Sequence, residues 1–149
     1  MSKILTFKGS IDEGLEVKIK LSTIKGKRGY RIKQFSTMNS TPGAANYETT
    51  TKVYAKAQGA GSTGVDFGES DLLAASYIED ASAITSVGAS MAQTIIFTQE
   101  VFNQDIFVNT ASLTGTAATN FYLELETVDL SDTQSTQLTL KSLRQVASR

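Results

Sequence analysis

The chain contains no cysteine, no histidine and no tryptophan, and a single proline in 149 residues. Without cysteine there is no disulfide framework, iron–sulfur cluster, thiol nucleophile or zinc knuckle. Without histidine the commonest general base and the commonest metal ligand are gone. Without tryptophan there is no indole platform for sugars, lipid interfaces or bases. No run approaches the ~20 apolar residues that a membrane span needs. The N-terminal stretch from Met1 to Lys8 lacks the apolar core of a signal peptide, so synthesis inside a cell is expected. What fills the chain instead is small and hydroxylated: 16 Ser, 19 Thr, 15 Ala and 11 Gly. A chain of this length supports one self-sufficient core, and one domain over 1–149 is expected.

The net charge of −1 conceals an asymmetry. Residues 1–57 hold 11 Lys/Arg against 4 Asp/Glu, whereas residues 58–149 hold 3 against 11. Between Lys56 and Lys141 there is no Lys or Arg at all, and half of the 14 cations fall at Lys18, Lys20, Lys25, Lys27, Arg28, Arg31 and Lys33. Three arrangements account for this split. The halves interleave and neutralise each other in one fold, or they meet across subunits in a salt-sensitive contact, or the cations face nucleic acid. Interleaving is the simplest. Nucleic acid is disfavoured, because arginine-rich tails are missing and the acidic remainder repels phosphate.

Period-two alternation points to an all-β, antiparallel two-sheet sandwich of eight or nine short strands. Leu15-Glu16-Val17-Lys18-Ile19-Lys20-Leu21 places four aliphatics on one face and three charges on the other. Phe121-Tyr122-Leu123-Glu124-Leu125-Glu126 repeats the pattern, with Phe121, Leu123 and Leu125 inward. The paired glycines of Ile24-Lys25-Gly26-Lys27-Arg28-Gly29-Tyr30 suit a tight hairpin leading into a partner strand over Tyr30–Met38. Further strands are expected at Tyr47–Ala57, Gln93–Thr98, Gln104–Asn109 and Gln137–Leu143, with a short one at Lys3–Phe7. Residues 69–78 read as either a strand or a two-turn helix, with the balance toward strand.

Several motif matches fail on context. Gly59-Ala60-Gly61-Ser62-Thr63-Gly64 spells G-x-G-x-x-G, but no helix follows and Asp66 and Glu69 put negative charge beside it. A loop between strands is the better account, and no cofactor is expected. Ser22-Thr23-Ile24-Lys25 spells S-x-x-K on a strand rather than at a helix start. Asp66, Glu69 and Asp71 lack the spacing of a calcium loop. Glu124 and Glu126 share a strand face about 7 Å apart, close to a carboxylate pair, but without an aromatic cleft around them. No enzymatic activity and no metal site are expected.

Three segments carry a resemblance: Phe102-Asn103-Gln104-Asp105-Ile106-Phe107-Val108, Asn120-Phe121-Tyr122-Leu123-Glu124-Leu125-Glu126 and Leu138-Thr139-Leu140-Lys141-Ser142-Leu143-Arg144. With Phe67-Gly68-Glu69-Ser70-Asp71-Leu72-Leu73, they resemble small virion structural proteins of marine bacteriophages over most of the chain. The resemblance implies a jelly-roll-like sandwich made in the host cytoplasm and incorporated in the capsid. Its implied partners are copies of itself, in a trimer or another symmetric oligomer, and other capsid proteins. No basic arm for holding a genome is present, which favours a decoration (cement) protein over a packaging shell subunit. Lys25, Lys27, Arg28 and Arg31 are the candidate assembly contact, through an acidic neighbour. The alternative is a jelly-roll module binding a receptor or glycan on a fibre or spike, with Tyr30, Tyr47, Tyr54, Tyr77 and Tyr122 as its stacking surface.

Overall fold

The computed structural model describes residues 3–21, 27–42, 46–80 and 91–147. Eight strands and one helix follow in order: β1 (Ile4–Ile11), β2 (Glu16–Ile19), β3 (Arg28–Asn39), β4 (Tyr47–Tyr54), β5 (Leu72–Asp80), β6 (Met91–Ile96), β7 (Ile106–Thr114), β8 (Thr119–Asp129) and α1 (Asp132–Ala147). They form a three-stranded sheet in the order β1-β8-β3 and a five-stranded sheet in the order β2-β7-β4-β5-β6, every pair antiparallel.

The pairing is nested. β4 pairs with β5, β2 with β7 and β1 with β8. The remaining pair is a bridge from β3 to the stretch after β6, where Tyr30 and Phe102 exchange both backbone hydrogen bonds at 2.8 and 2.9 Å. A long hairpin folded back on itself in this way is jelly-roll-like, with the departure that β6 pairs with β5 in the five-stranded sheet and not with β3. The all-β sandwich expected from the alternation is therefore the observed fold.

Alternation explains the sheet faces. On β8, Phe121, Leu123 and Leu125 point inward at 7%, 0% and 0% exposure, while Tyr122, Glu124 and Glu126 remain on the outer face. β1 lays Leu5, Phe7 and Ile11 against the same core. On β3 the inward residues Ile32 and Phe35 are three apart, so strict alternation would send one outward. The register shift between Ile32 and Gln34 takes up the extra residue at Lys33 and returns Phe35 to the core. Val53, Leu73, Ile106 and Val108 complete the core from the five-stranded sheet.

Three expectations need correction. Gln137–Leu143 lies within α1, not in a strand. Ser131 and Gln134 form a reciprocal capping box, with the Gln134 amide donating to Ser131 Oγ at 3.2 Å and the Ser131 amide to Gln134 Oε1 at 3.0 Å. That start signal outweighs the short Leu138-Thr139-Leu140 alternation.

Nor do β2 and β3 form a hairpin: β2 pairs with β7 in one sheet and β3 with β8 in the other. The two strands belong to different sheets, and residues 22–26, including Lys25, lie outside the described residues. The glycine pair signalled a change of direction but carried no information on which sheet each flank joins. Finally, Leu15 is 55% exposed rather than inward, because it precedes β2 in a turn closed by its own amide on Asp12 O.

Candidate functional site

The cations of the first half divide into two groups. Arg31 Nε donates to Glu126 Oε2 at 2.8 Å, and Lys33 Nζ stands 3.8 Å from the same oxygen. Lys18 pairs with Asp105 at 3.4 Å. Each pair joins a cation of residues 1–57 to a carboxylate of residues 58–149, which is the interleaved arrangement. Such partly exposed pairs hold register more than they add stability, about 0–1 kcal/mol each. Among the candidate contact residues, Arg31 is thus engaged within the chain. Lys27 is exposed and Arg28 half-buried, opposite Asp129 at the end of β3.

The tyrosines are dispersed. Tyr30, Tyr47 and Tyr54 are buried at 1–2% exposure, and only Tyr77 and Tyr122 reach the surface. Tyr77 hydroxyl lies 2.8 Å from Glu48 Oε1 and 3.1 Å from Glu79 Oε2, and Tyr122 donates to Glu124 Oε2 at 2.9 Å. These hydrogen bonds, with partial desolvation next, push both phenols above the ordinary tyrosine range. Buried rings cannot stack on a sugar, so the five do not form one platform.

The acidic loop is likewise taken up by local structure. Asp66 Oδ1 accepts from the Gly68 amide at 2.8 Å, and Asp71, 2% exposed, accepts from Gln58 Nε2 at 3.0 Å. Among the described residues no group of three or more acidic side chains converges as a metal site would require.

A buried polar cluster lies on β4 and β7, strands that no motif marked. β4 is buried on both faces: Thr49, Thr51 and Val53 face the core, and Lys52 and Tyr54 the other side. The covering is the segment between β4 and β5. It is held by Ala55 N to Asp71 O at 2.8 Å, Gly61 N to Gly14 O at 3.1 Å, and an edge-to-face contact of Phe67 on Phe97 with centroids 5.2 Å apart. At Gly61 a Cβ would come within 2.0 Å of the Thr110 carbonyl oxygen, so only glycine lets this segment lie so close to β7. The G-x-G-x-x-G letters thus serve an ordered flap over the sheet.

Beneath the flap, Lys52 is 1% exposed; its Nζ donates to Ser62 Oγ at 2.9 Å and to Gly64 O, and sits 5.6 Å from the Tyr54 ring centroid. Burial pushes its ammonium below the ordinary lysine range, partly offset by the charge of Glu69. Beside it on β7, Asn109 is 1% exposed and donates through Nδ2 to Glu16 Oε2 at 3.4 Å, while its Oδ1 accepts no hydrogen bond. Glu16 also accepts from the amides of Gln58, at 3.0 Å, and Gly59, at 3.2 Å. A lysine on the outer face of a threonine-rich strand reads as solvated from sequence; only the flap makes it interior.

No family model, no curated protein and no solved structure matches this chain.

Proposed function

We propose that the protein is a structural subunit of a bacteriophage virion, a decoration or small shell protein that assembles by symmetric contacts between copies and with neighbouring capsid proteins. The observation that carries this reading is the nested, antiparallel two-sheet sandwich, whose jelly-roll-like pairing resembles an architecture that shells and lectin-like modules share. The dispersed, largely buried tyrosines weigh against the lectin-like use. Support for assembly comes from the surface. Lys27 and Arg28 sit at one end of β3, and Met38, Leu113, Leu140 and Leu143 are all more than half exposed, at 51–62%. Symmetric oligomers bury such side chains against a second copy.

Light-scattering mass on a sizing column, over a concentration series, tests this reading. A discrete trimer or larger closed assembly is expected. A strict monomer at every concentration, with no retention on capsids, would overturn it.

A further inference from the structure

Lys52 and Asn109 face each other directly. They are register partners in the β4–β7 ladder and share the outer face of the five-stranded sheet beneath the flap. Directly opposed side chains of an antiparallel pair have Cβ atoms about 4.5–5.5 Å apart, well within the reach of a lysine. Both residues are 1% exposed, so bulk solvent does not reach the space between them.

The chemistry of the three side chains is complementary. The two oxygens on Lys52 Nζ, Ser62 Oγ and Gly64 O, are uncharged and account for two N–H donors. A neutral amine can make both bonds and keep its lone pair. Burial displaces the lysine equilibrium toward this neutral form. Asn109 presents a carboxamide whose Oδ1 is buried without a partner, and whose Nδ2 rests on the carboxylate of Glu16. A buried carbonyl left unsatisfied is costly in a merely structural asparagine. It is the group that would accept developing charge if Cγ were attacked.

We propose that Lys52 and Asn109 become joined by an isopeptide bond formed by the folded chain itself, with Glu16 carrying the proton. Lys52 Nζ attacks Asn109 Cγ, the Nζ–Cγ bond forms and the Cγ–Nδ2 bond breaks. In the tetrahedral intermediate Nζ and Nδ2 share Cγ, so Glu16, already against Nδ2, takes one proton from Nζ and passes it to Nδ2, which leaves as ammonia. The balance is amine plus carboxamide to secondary amide plus ammonia, with no oxidant, metal or cofactor. The reaction occurs once per chain and is independent of the virion reading, since it concerns only the covalent state of the monomer. Its product is a covalent rung between β7 and β4, neighbouring interior strands of the five-stranded sheet.

Intact-mass spectrometry of the purified full chain, after incubation at neutral and mildly alkaline pH, is the test. The expected mass is below that of the sequence by one ammonia, about 17 Da. Tryptic digestion should then fail after Lys52 and yield one branched peptide containing both Lys52 and Asn109. Glu16→Gln, checked for folding by circular dichroism, should keep the full sequence mass, as should Asn109→Ala. Full sequence mass in the wild-type chain would overturn the proposal, and that result does not depend on any variant folding. So would a loss of ammonia at Asn109 with Lys52 still cleaved by trypsin, because that pattern marks a succinimide at Asn109-Thr110 instead.

Discussion

At the scale of single residues, the absences in the composition shift the polar work onto hydroxyls, amides and carboxylates. Tyr47 hydroxyl bonds Thr119 Oγ1 in the interior, Thr51 bonds Thr110 at 3.2 Å, and Thr37 reaches Ser76 across the sheets at 2.6 Å. Tyr77 shows how such bonds respond to pH. Its phenol is favoured in the protonated form by Glu48, by desolvation and by Glu79, so its folded-state value lies above that of the unfolded chain, about 10. A group raised in this way contributes stability that is fully present below the unfolded value and disappears as pH climbs through the folded one. In an ultraviolet titration of the folded chain, Tyr77 and Tyr122 should therefore be missing from the phenols that ionise near the ordinary pH. Tyr77→Phe should also flatten the alkaline loss of stability. A titration in which both ionise normally would show that the carboxylates do not hold them.

At the scale of elements, legibility tracked how local the determining contacts are. β8 could be read directly, because alternate burial of Phe121, Leu123 and Leu125 is written into consecutive residues. β1 shows it over only part of its length, as Leu5 and Phe7, and β5 lacks it: residues 72–76 are all buried, so 69–78 reads as strand or helix alike. The β2–β3 relation was not, since the partners of each strand lie at the far end of the chain: Ile19 pairs with Ile106, and Arg28 with Asp129. The Lys52 cluster was hidden for the same reason, as the residues that bury it come from three separate segments.

α1 is a different failure, because its signal was local and present. Ser131-Asp132-Thr133-Gln134 is a capping box, and the Leu138-Thr139-Leu140 alternation downstream is a competing, weaker strand signal. The helix is largely exposed, with Leu140 at 51% and Leu143 at 61%, and is tied to the body by Lys141 on Glu100 at 3.1 Å. Tertiary packing therefore does little to hold its first turn, and the cap should matter. Ser131→Ala is expected to cost about 0.5–2 kcal/mol of helix stability. Far-ultraviolet circular dichroism should show lost helical signal with the sheet signal intact. An unchanged helical signal would mean that the body, not the cap, sets where α1 begins.

At the scale of the whole molecule, the charge split is resolved mostly inside the fold, and that narrows what an assembly contact can use. Lys18, Arg31 and Lys33 already face carboxylates of the second half, so their charge is largely neutralised before any partner arrives. Lys27 is the exposed cation of the candidate set among the described residues. Its role in the fold is carried by the backbone, whose carbonyl accepts from the Leu130 amide at 2.9 Å, so its side chain can be reversed without touching that bond. Arg28 is a less clean position, because a glutamate there would stand opposite Asp129, and directly opposed like charges destabilise a strand pair. Lys27→Glu is accordingly the first variant and the Lys27→Glu/Arg28→Glu pair the second, each compared with wild type by circular dichroism. If the contact is electrostatic, Lys27→Glu should lower the assembled mass at low salt, and the double variant should reduce it to that of the monomer. Salt should act in the same direction on the wild type, since the screening length falls from about 10 Å at 0.1 M to about 3 Å at 1 M. The two effects must then overlap, with the double variant insensitive to salt because it has no attraction left to screen. Assembly that survives both charge reversal and high salt would remove the cations from the contact and leave the exposed leucines of α1 and the rim residues Met38 and Leu113 to hold it.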